Sequence, residues 1–232
     1  MFKDNTALGG SEYHEASIYP VLEGKKLFTK PVYTSYVDSL HKIVNIKQDI
    51  FEGLYKELLI NNAQFLQSLH IIGDPHGGTL LARSMRRAYG FIRECAPKVM
   101  ANDGFGFDPD RLNFALFSAA LLYGIGRVCQ DRSISQCDAR GKFIQNWYPV
   151  RGLMTSDYYK IRARKSLDKE YVNHMHIVYA QVVMPSIGMA WLMEEPKLFV
   201  LWKNALADLQ DGFDVLDIDL DVDKLAKGVE EE

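Results

Sequence analysis

The chain lacks the features that would assign it directly to a secreted, membrane-embedded or zinc-binding class. Its 232 residues include three cysteines, an odd number without a CxxC pair, which predicts reduced structural thiols and no zinc site. Residues 1–15 hold no basic segment followed by an apolar core, so we expect no secretory signal. The longest apolar run, 114–125, is shorter than the ~20 residues of a membrane span, so we predict no transmembrane segment.

The charge is low overall but unevenly distributed. The formal net charge is −3, while residues 211–232 hold nine acidic residues against two lysines, a net of −7, which leaves +4 for the rest. A mildly basic body with an acidic tail indicates a protein partner for one of the two. The net negative charge argues against a general nucleic-acid-binding protein.

Apolar residues recur at helical spacing in the first half of the chain. One series begins at Val37 and reaches Leu59, as one long helix or two short ones, and we expect Asn61-Asn62 to interrupt it. A second helix begins at Leu80, after a tight glycine-rich loop. One face of this second helix is apolar, and the opposite face carries four arginines: Arg83, Arg86, Arg87 and Arg93.

The segment 112–123 is apolar on nearly every side, which predicts a helix buried at the centre of a bundle. We interpret 131–156 as turn-rich and 157–163 and 168–183 as helices, with a last helix near 196–209. The predicted class is therefore mostly α. The predicted organisation is an irregular N-terminal arm (1–35), one helical domain (36–210) and an acidic C-terminal tail (211–232).

The central helix runs into the nonapeptide AALLYGIGR, from Ala119 to Arg127. This stretch resembles the A-A-L-L-H-D-I-G-K motif of the HD phosphohydrolase superfamily, in which adjacent His and Asp bind a divalent metal. Upstream, GTLLARS at 78–84 resembles a family G-G-L-L-x-H-S motif. Downstream, WYP at 147–149 and the aromatic, basic run 158–164 also resemble family elements. The order of motifs, over roughly 19–185, is similar to the TraI-type (MobH-class) relaxase N-terminal domain.

The departures from this pattern fall on the metal ligands. Where the family supplies ligands, this chain has Arg83, Tyr123 and Gly124. A guanidinium, a phenol and a hydrogen atom cannot replace imidazole and carboxylate around a hard or borderline cation. The resemblance thus implies an HD-domain-like helical bundle with a degenerate ancestral site, with no catalytic residue, no metal and no cofactor.

The function implied is a non-catalytic interaction or scaffold protein. The family setting is bacterial conjugation or type IV secretion, where the chain would be an accessory subunit of the coupling complex. Its partners would be other protein subunits of that apparatus, with nucleic acid less favoured. We expect a cytoplasmic protein that partners hold at the inner face of the membrane.

Two alternatives come from other classes. A metal-dependent phosphohydrolase or nuclease could use relocated ligands such as Asp74, His76 and one of two late histidines. His174 and His176 diverge by about 200° on a helix, so both cannot face one metal, and we expect one exposed and one packed. A DNA-processing accessory could instead bind nucleic acid through 158–165.

Three surfaces are candidates for interaction. They are the basic helix (Arg86, Arg87), the run after residue 157 (Tyr158, Tyr159, Arg162, Arg164) and the tail (Asp217, Asp219, Asp221). For the basic helix and the run after residue 157, a solvated surface is the plainest interpretation, a protein contact is next, and nucleic acid is last. The tail alternates apolar and acidic residues from Val215 to Leu225, so it is either a solvated tail or a strand added to a partner's sheet.

Overall fold

The computed structural model describes residues 17–71, 78–101 and 106–209, and the described part is mostly helical, as predicted. The helices are α1 (Gly24–Leu27), α2 (Pro31–Val44), α3 (Gln48–Phe51), α4 (Glu57–Leu66), α5 (Leu80–Ala101), α6 (Pro109–Leu122), α7 (Lys169–Val183), α8 (Ser186–Met193) and α9 (Pro196–Ala207). The strands are β1 (Ile18–Pro20), β2 (Arg132–Cys137), β3 (Phe143–Asn146) and β4 (Tyr158–Ala163).

The first apolar series forms two helical segments. Helix α2 has Pro31 in its first turn, where the missing N–H costs nothing, and ends at Asn45 in the left-handed region (φ 49°). Helices α3 and α4 are joined without a break by a π-helical turn, Glu52–Lys56. The expected interruption at Asn61-Asn62 is wrong, because both residues lie within α4.

Helix α6 is the centre of the bundle, as predicted. Asp108 caps its first turn by accepting a hydrogen bond from the Arg111 amide, and every residue from Leu112 to Leu122 is buried. Burial of each large apolar side chain contributes roughly 1.5–3 kcal/mol, so this helix carries a large share of the stability. Residues Pro109–Cys129 have the length and composition of a membrane span, but 78% of the most apolar window is buried inside the protein.

Helix α6 ends at Leu122, just before Gly124 and Gly126. Tyr123 is its C-cap, and Gly124 takes φ 72°, a left-handed conformation that a side chain would disfavour. A short 3₁₀ helix, Ile125–Cys129, then turns the chain towards β2. This reversal places Arg127 beside the end of α6, which positions the site described below.

A small antiparallel sheet, in the order β1-β4-β2-β3, was not predicted. The expected helix at 157–163 is wrong, because these residues form β4, and the expected turn segment contains β2. In β2, the inward side chains Arg132, Ile134 and Gln136 alternate with more exposed serines, the period of two that a strand requires. The polar inward residues obscured this alternation in the sequence.

The described part of the N-terminal arm is less irregular than predicted. Strand β1 pairs with β4, with Tyr19 opposite Tyr159, and the two rings stack at a centroid distance of 5.5 Å. Helix α1 packs so closely on α4 that a Cβ on Gly24 would lie 2.6 Å from the Ile60 carbonyl oxygen. The arm therefore holds the sheet and the bundle together.

Candidate functional site

A cavity of about 70 Å³ opens at the C-terminal end of α6. It brings together Arg83, Tyr123 and Gly124, the three positions that the motif comparison assigned to a degenerate metal site. The other polar side chains around it are Asn62 from α4, Ser84 and Arg87 from α5, and Arg127 from the 3₁₀ helix.

Arg87 lies inside the protein and not on the solvent face where it was predicted. Arg87 is only 6% exposed. Nε donates to the Ala120 carbonyl oxygen at 2.7 Å, and Nη2 donates to the Tyr123 carbonyl oxygen at 2.8 Å. The guanidinium also lies over the Tyr123 ring, 5.1 Å from its centroid.

The burial of Arg87 has a simple cause. The last carbonyls of a helix have no partner within it and carry its negative partial charge, so they attract a cationic donor. Position 87 also follows the inner spacing of α5, three residues after buried Ser84 and four before buried Phe91. That spacing is the sequence signal that could have identified Arg87 as an internal cap.

Two further arginines contribute positive charge to the same cavity. Arg83 lies one turn before Arg87 on α5 and is half-buried, while Arg127 is exposed at the mouth. Arg86, between them in sequence, is exposed and does not line the cavity, which leaves it on the predicted solvent face. Among the described residues that line the cavity, three are cationic and none is acidic.

Asn62 and Ser84 form a buried polar wall of the cavity. Asn62 is 0% exposed, and its Nδ2 donates to Ser84 Oγ at 3.2 Å, which in turn donates to the Leu81 carbonyl oxygen at 2.9 Å. Asn62 Oδ1 is buried and has no hydrogen-bond partner in the described structure. A buried acceptor of this kind normally has a donor, so Asn62 Oδ1 is an unsatisfied polar atom beside the cavity.

The late histidines separate as predicted. His174 is exposed, 3.9 Å from the Glu170 carboxylate, and His176 is only 2% exposed. Burial, followed by the nearby charge of Arg127, lowers the pKa of His176 to about 4, so its imidazole is neutral at pH 7. His176 packs against Gly126, where a Cβ would lie 2.4 Å from its Cδ2.

The described residues contain no group of three or more His, Cys, Asp or Glu side chains placed to hold a metal ion. Asp74 and His76, the other members of the relocated site considered above, lie outside the described residues.

The aromatic, basic run does not form one continuous strip. Tyr159 is fully buried and stacked on Tyr19, so it cannot stack on a nucleic-acid base as the prediction required. Tyr158 is half-buried, Arg162 is exposed, and Arg164 donates through Nη2 to the Cys129 carbonyl oxygen. The structure leaves only part of the predicted nucleic-acid surface available.

Exposed apolar side chains that the sequence did not indicate lie on and after the edge strand β3. Within the described residues, β3 pairs only with β2, and its side chains Phe143 (60%) and Ile144 (53%) are exposed. Tyr148 and Val150, which come after β3 and alternate with buried Trp147 and Pro149, are also about half exposed. We call these four residues the β3 edge. The tail candidates Asp217, Asp219 and Asp221 lie outside the described residues.

The cavity can thus attract an anion and disfavour a divalent cation, since three guanidiniums face it and repel positive charge. No family model and no curated protein matches the chain.

Proposed function

We propose that the chain is a non-catalytic interaction protein whose cavity derives from a metal-dependent hydrolase site. The observation that carries this proposal is the position of Arg87. Its guanidinium, bonded to the Ala120 and Tyr123 carbonyl oxygens, occupies the helix end where the resembled motif would hold a divalent cation. Metal-assisted hydrolysis needs that cation to activate water and to bind the substrate oxygens.

Arg87 cannot move aside at low cost. Displacing it would leave several carbonyl oxygens at the end of α6 without a donor and bring a cation close to the remaining guanidiniums. Each unsatisfied buried group costs about 1–3 kcal/mol. The cavity is therefore preorganised against a cation, which supports loss of the ancestral chemistry.

The setting we propose is a bacterial type IV secretion or conjugation apparatus, in which the chain binds other subunits in the cytoplasm near the coupling ATPase. This part depends on the order of motifs shared with the TraI-type domain. The β3 edge supports an interaction role, since exposed apolar side chains on an edge strand are typical of partner-binding surfaces.

Metal content and hydrolysis test the non-catalytic assignment. The purified chain is exposed to Mn²⁺, Fe²⁺ or Zn²⁺, dialysed, and analysed by elemental mass spectrometry, with phosphoester hydrolysis measured in parallel. We expect far less than one metal per chain and no turnover. The variant Arg83→His/Tyr123→His/Gly124→Asp restores three ligand types and serves as the matched control, which we expect to retain more metal.

A stoichiometric metal in the wild-type chain, accompanied by metal-dependent phosphoester turnover, would overturn the proposal. That outcome would favour a hydrolase with ligands elsewhere, including Asp74 and His76. Steeply salt-dependent DNA binding would instead favour the nucleic-acid accessory.

The cellular setting is tested by affinity purification of the tagged chain from its native host, followed by mass spectrometry. We expect enrichment of secretion or conjugation subunits, the coupling ATPase among them. The control bait carries Phe143→Lys and Ile144→Lys, which place charge on the β3 edge and should reduce recovery of those subunits. Equal recovery with both baits would remove the β3 edge from the proposal, and no secretion subunit with either would remove the setting.

A further inference from the structure

We infer that the β3 edge is the docking site of residues 215–225 of the same chain, which add to the sheet as a further strand beside β3. This inference goes beyond the proposed function and does not need a secretion setting, because both halves of the contact belong to this chain. Its role would be to cover an apolar edge that otherwise promotes association with other chains. Four observations carry it: the open side of β3, the positive charge around it, the sequence pattern of residues 215–225, and their short separation from the end of α9.

Strand β3 has a side to which another strand can bind. It is the last strand in the order β1-β4-β2-β3, and within the described residues it pairs only with β2. All four of its residues are exposed, and two of them, Phe143 and Ile144, are large and apolar. An added strand would bond the outward main-chain groups of β3 and cover these side chains. The opposite edge is less suited, because β1 has three residues and ends at Pro20, which has no N–H to donate.

The surroundings of β3 are positively charged. Residues 131–165, which form three of the four strands and the turns between them, hold eight basic and three acidic residues, a net of +5. The basic residues nearest to the β3 edge in sequence are Arg140, Lys142 and Arg151, and all three are exposed. An edge-to-edge dimer would bring two such regions together against their repulsion. The charge therefore favours an acidic segment over a second copy of β3.

The C-terminal part of the sequence supplies an acidic segment with the alternation that an edge strand needs. Residues 215–225 lie outside the described residues and have the sequence VLDIDLDVDKL. In an extended conformation, successive side chains point to opposite faces. One face would then carry Leu216, Ile218, Leu220 and Val222, and the other Asp217, Asp219, Asp221 and Asp223. The apolar face can cover the apolar side chains of the β3 edge, while the carboxylates are attracted by the positive charge of residues 131–165.

Residues 215–225 begin a short distance along the chain from the described structure. They start six residues after Leu209, the last described residue, and an extended chain covers this interval at about 3.3 Å per residue, or about 20 Å. Helix α9 packs on α7, and α7 packs on the 3₁₀ turn Pro149–Arg151, which contains Val150 of the β3 edge. Packed helices lie about 8–10 Å apart, so two such steps match that reach.

The covalent connection also compensates for the small size of the contact. A strand of four residues offers few hydrogen bonds, and a separate peptide would gain little from them. A short tether raises the effective concentration of its own segment to the millimolar range. The same chain is therefore the favoured source of the added strand.

Hydrogen–deuterium exchange of the full chain, followed by mass spectrometry, tests the contact. We expect the outward amides of β3 and the amides of residues 215–225 to exchange at least about tenfold more slowly than unstructured amides, as for a segment docked about nine-tenths of the time. Ile218→Pro/Leu220→Pro removes two N–H groups from the segment without changing its charge. It should raise the exchange rate of the outward β3 amides by about tenfold or more.

Val229→Pro is the matched control, because it places a proline in the same C-terminal region, beyond residue 225. It should leave the exchange of the β3 amides within about twofold of wild type, as for a substitution outside the contact. All of these prolines follow Leu209, so the described core side chains are unchanged in each variant. Circular dichroism verifies that the helical content is retained.

The contribution of charge is tested with Asp217→Asn/Asp219→Asn/Asp221→Asn. These substitutions keep the size and the alternation of the side chains but remove three negative charges. The exchange of the outward β3 amides should quicken by about threefold or more, and added salt should have less effect than in the wild-type chain. Exchange as slow as in wild type would contradict the choice of an acidic segment.

The inference is overturned if the outward β3 amides of the wild-type chain exchange as fast as unstructured amides, or if they stay protected in Ile218→Pro/Leu220→Pro. Protection that disappears on dilution, together with a doubled mass by light scattering, would also overturn it and assign the surface to a second copy. No secretion subunit takes part in these measurements. The docking of residues 215–225 and the proposed setting can therefore fail separately.

Discussion

The end of α6 and the β3 edge differ in which groups are buried: polar side chains are buried at the end of α6, and apolar side chains are exposed at the β3 edge. Around α6, several polar groups lie inside the protein and are hydrogen-bonded: Arg87 donates to carbonyl oxygens, and Trp202 Nε1 donates to buried Ser118 Oγ at 3.0 Å. At the β3 edge, large apolar side chains such as Phe143 face outwards. The comparison indicates that the core is built to fix one arrangement, whereas the sheet edge is available for contact.

The strongest test of this contrast removes the arginine at the helix end. We expect Arg87→Met to lower the free energy of unfolding by about 3 kcal/mol or more, because several buried carbonyls lose their donor. Urea denaturation at pH 7 measures the change. The control Arg86→Met, one residue earlier and exposed, should stay within about 0.5 kcal/mol of wild type. Equal effects would show that Arg87 is not an internal cap.

The second test concerns buried His176 and the pH dependence of the free energy of unfolding. The pKa of His176 is lowered to about 4 in the folded protein, against about 6.5 when unfolded, so below pH 6.5 the unfolded chain binds the extra proton. The stabilisation that comes from the neutral imidazole is therefore complete above pH 6.5 and is lost as the pH falls towards 4. This loss lowers the free energy of unfolding by up to about 3 kcal/mol.

Denaturation at pH 7 and pH 5 measures the effect of His176. His176→Gln should flatten the dependence over this interval, and His174→Gln, at an exposed position, should leave it unchanged. An unchanged slope in His176→Gln would show that another group titrates there.

A smaller effect on the free energy of unfolding is expected for Ser118, whose hydroxyl is buried on α6. Ser118→Ala would leave the Trp202 indole N–H without an acceptor inside the core, which costs about 1–3 kcal/mol. Thermal and urea unfolding both report it. The double variant Ser118→Ala/Trp202→Phe should recover part of the loss, because the unpaired donor is then also removed. No recovery would assign the loss to packing alone.

The smallest change in stability is expected at the β3 edge. Ile144→Lys replaces an exposed side chain, so the free energy of unfolding should change by less than about 0.5 kcal/mol. Solubility should rise, since a charge on an edge strand opposes edge-to-edge association. Light scattering during concentration measures this. A large destabilisation would break the comparison by showing that the β3 edge is part of the core.

The helical part of the fold could be predicted because its apolar residues recur with a single clear period. The sequence also placed Arg83, Tyr123 and Gly124 in one site, and the structure does line one cavity with them. Arg87 was predicted on the solvent face although its spacing from Ser84 and Phe91 places it on the inner face of α5, and its partners are main-chain carbonyls that no residue type reveals. Strand β4 was interpreted as a helix because it is short and mixes aromatic with basic residues. Asn62, read as a helix interruption, is a buried helical residue.

The π-helical turn Glu52–Lys56 has a consequence for the cavity that lies further along the same helical segment. A π turn behaves as one residue inserted into an α-helix, and each residue rotates the following side chains by about 100°. Shortening this turn by one residue would therefore swing Asn62 away from Ser84 and turn an apolar neighbour towards the arginines. The orientation of the polar wall is thus set by a backbone irregularity nearly two turns upstream.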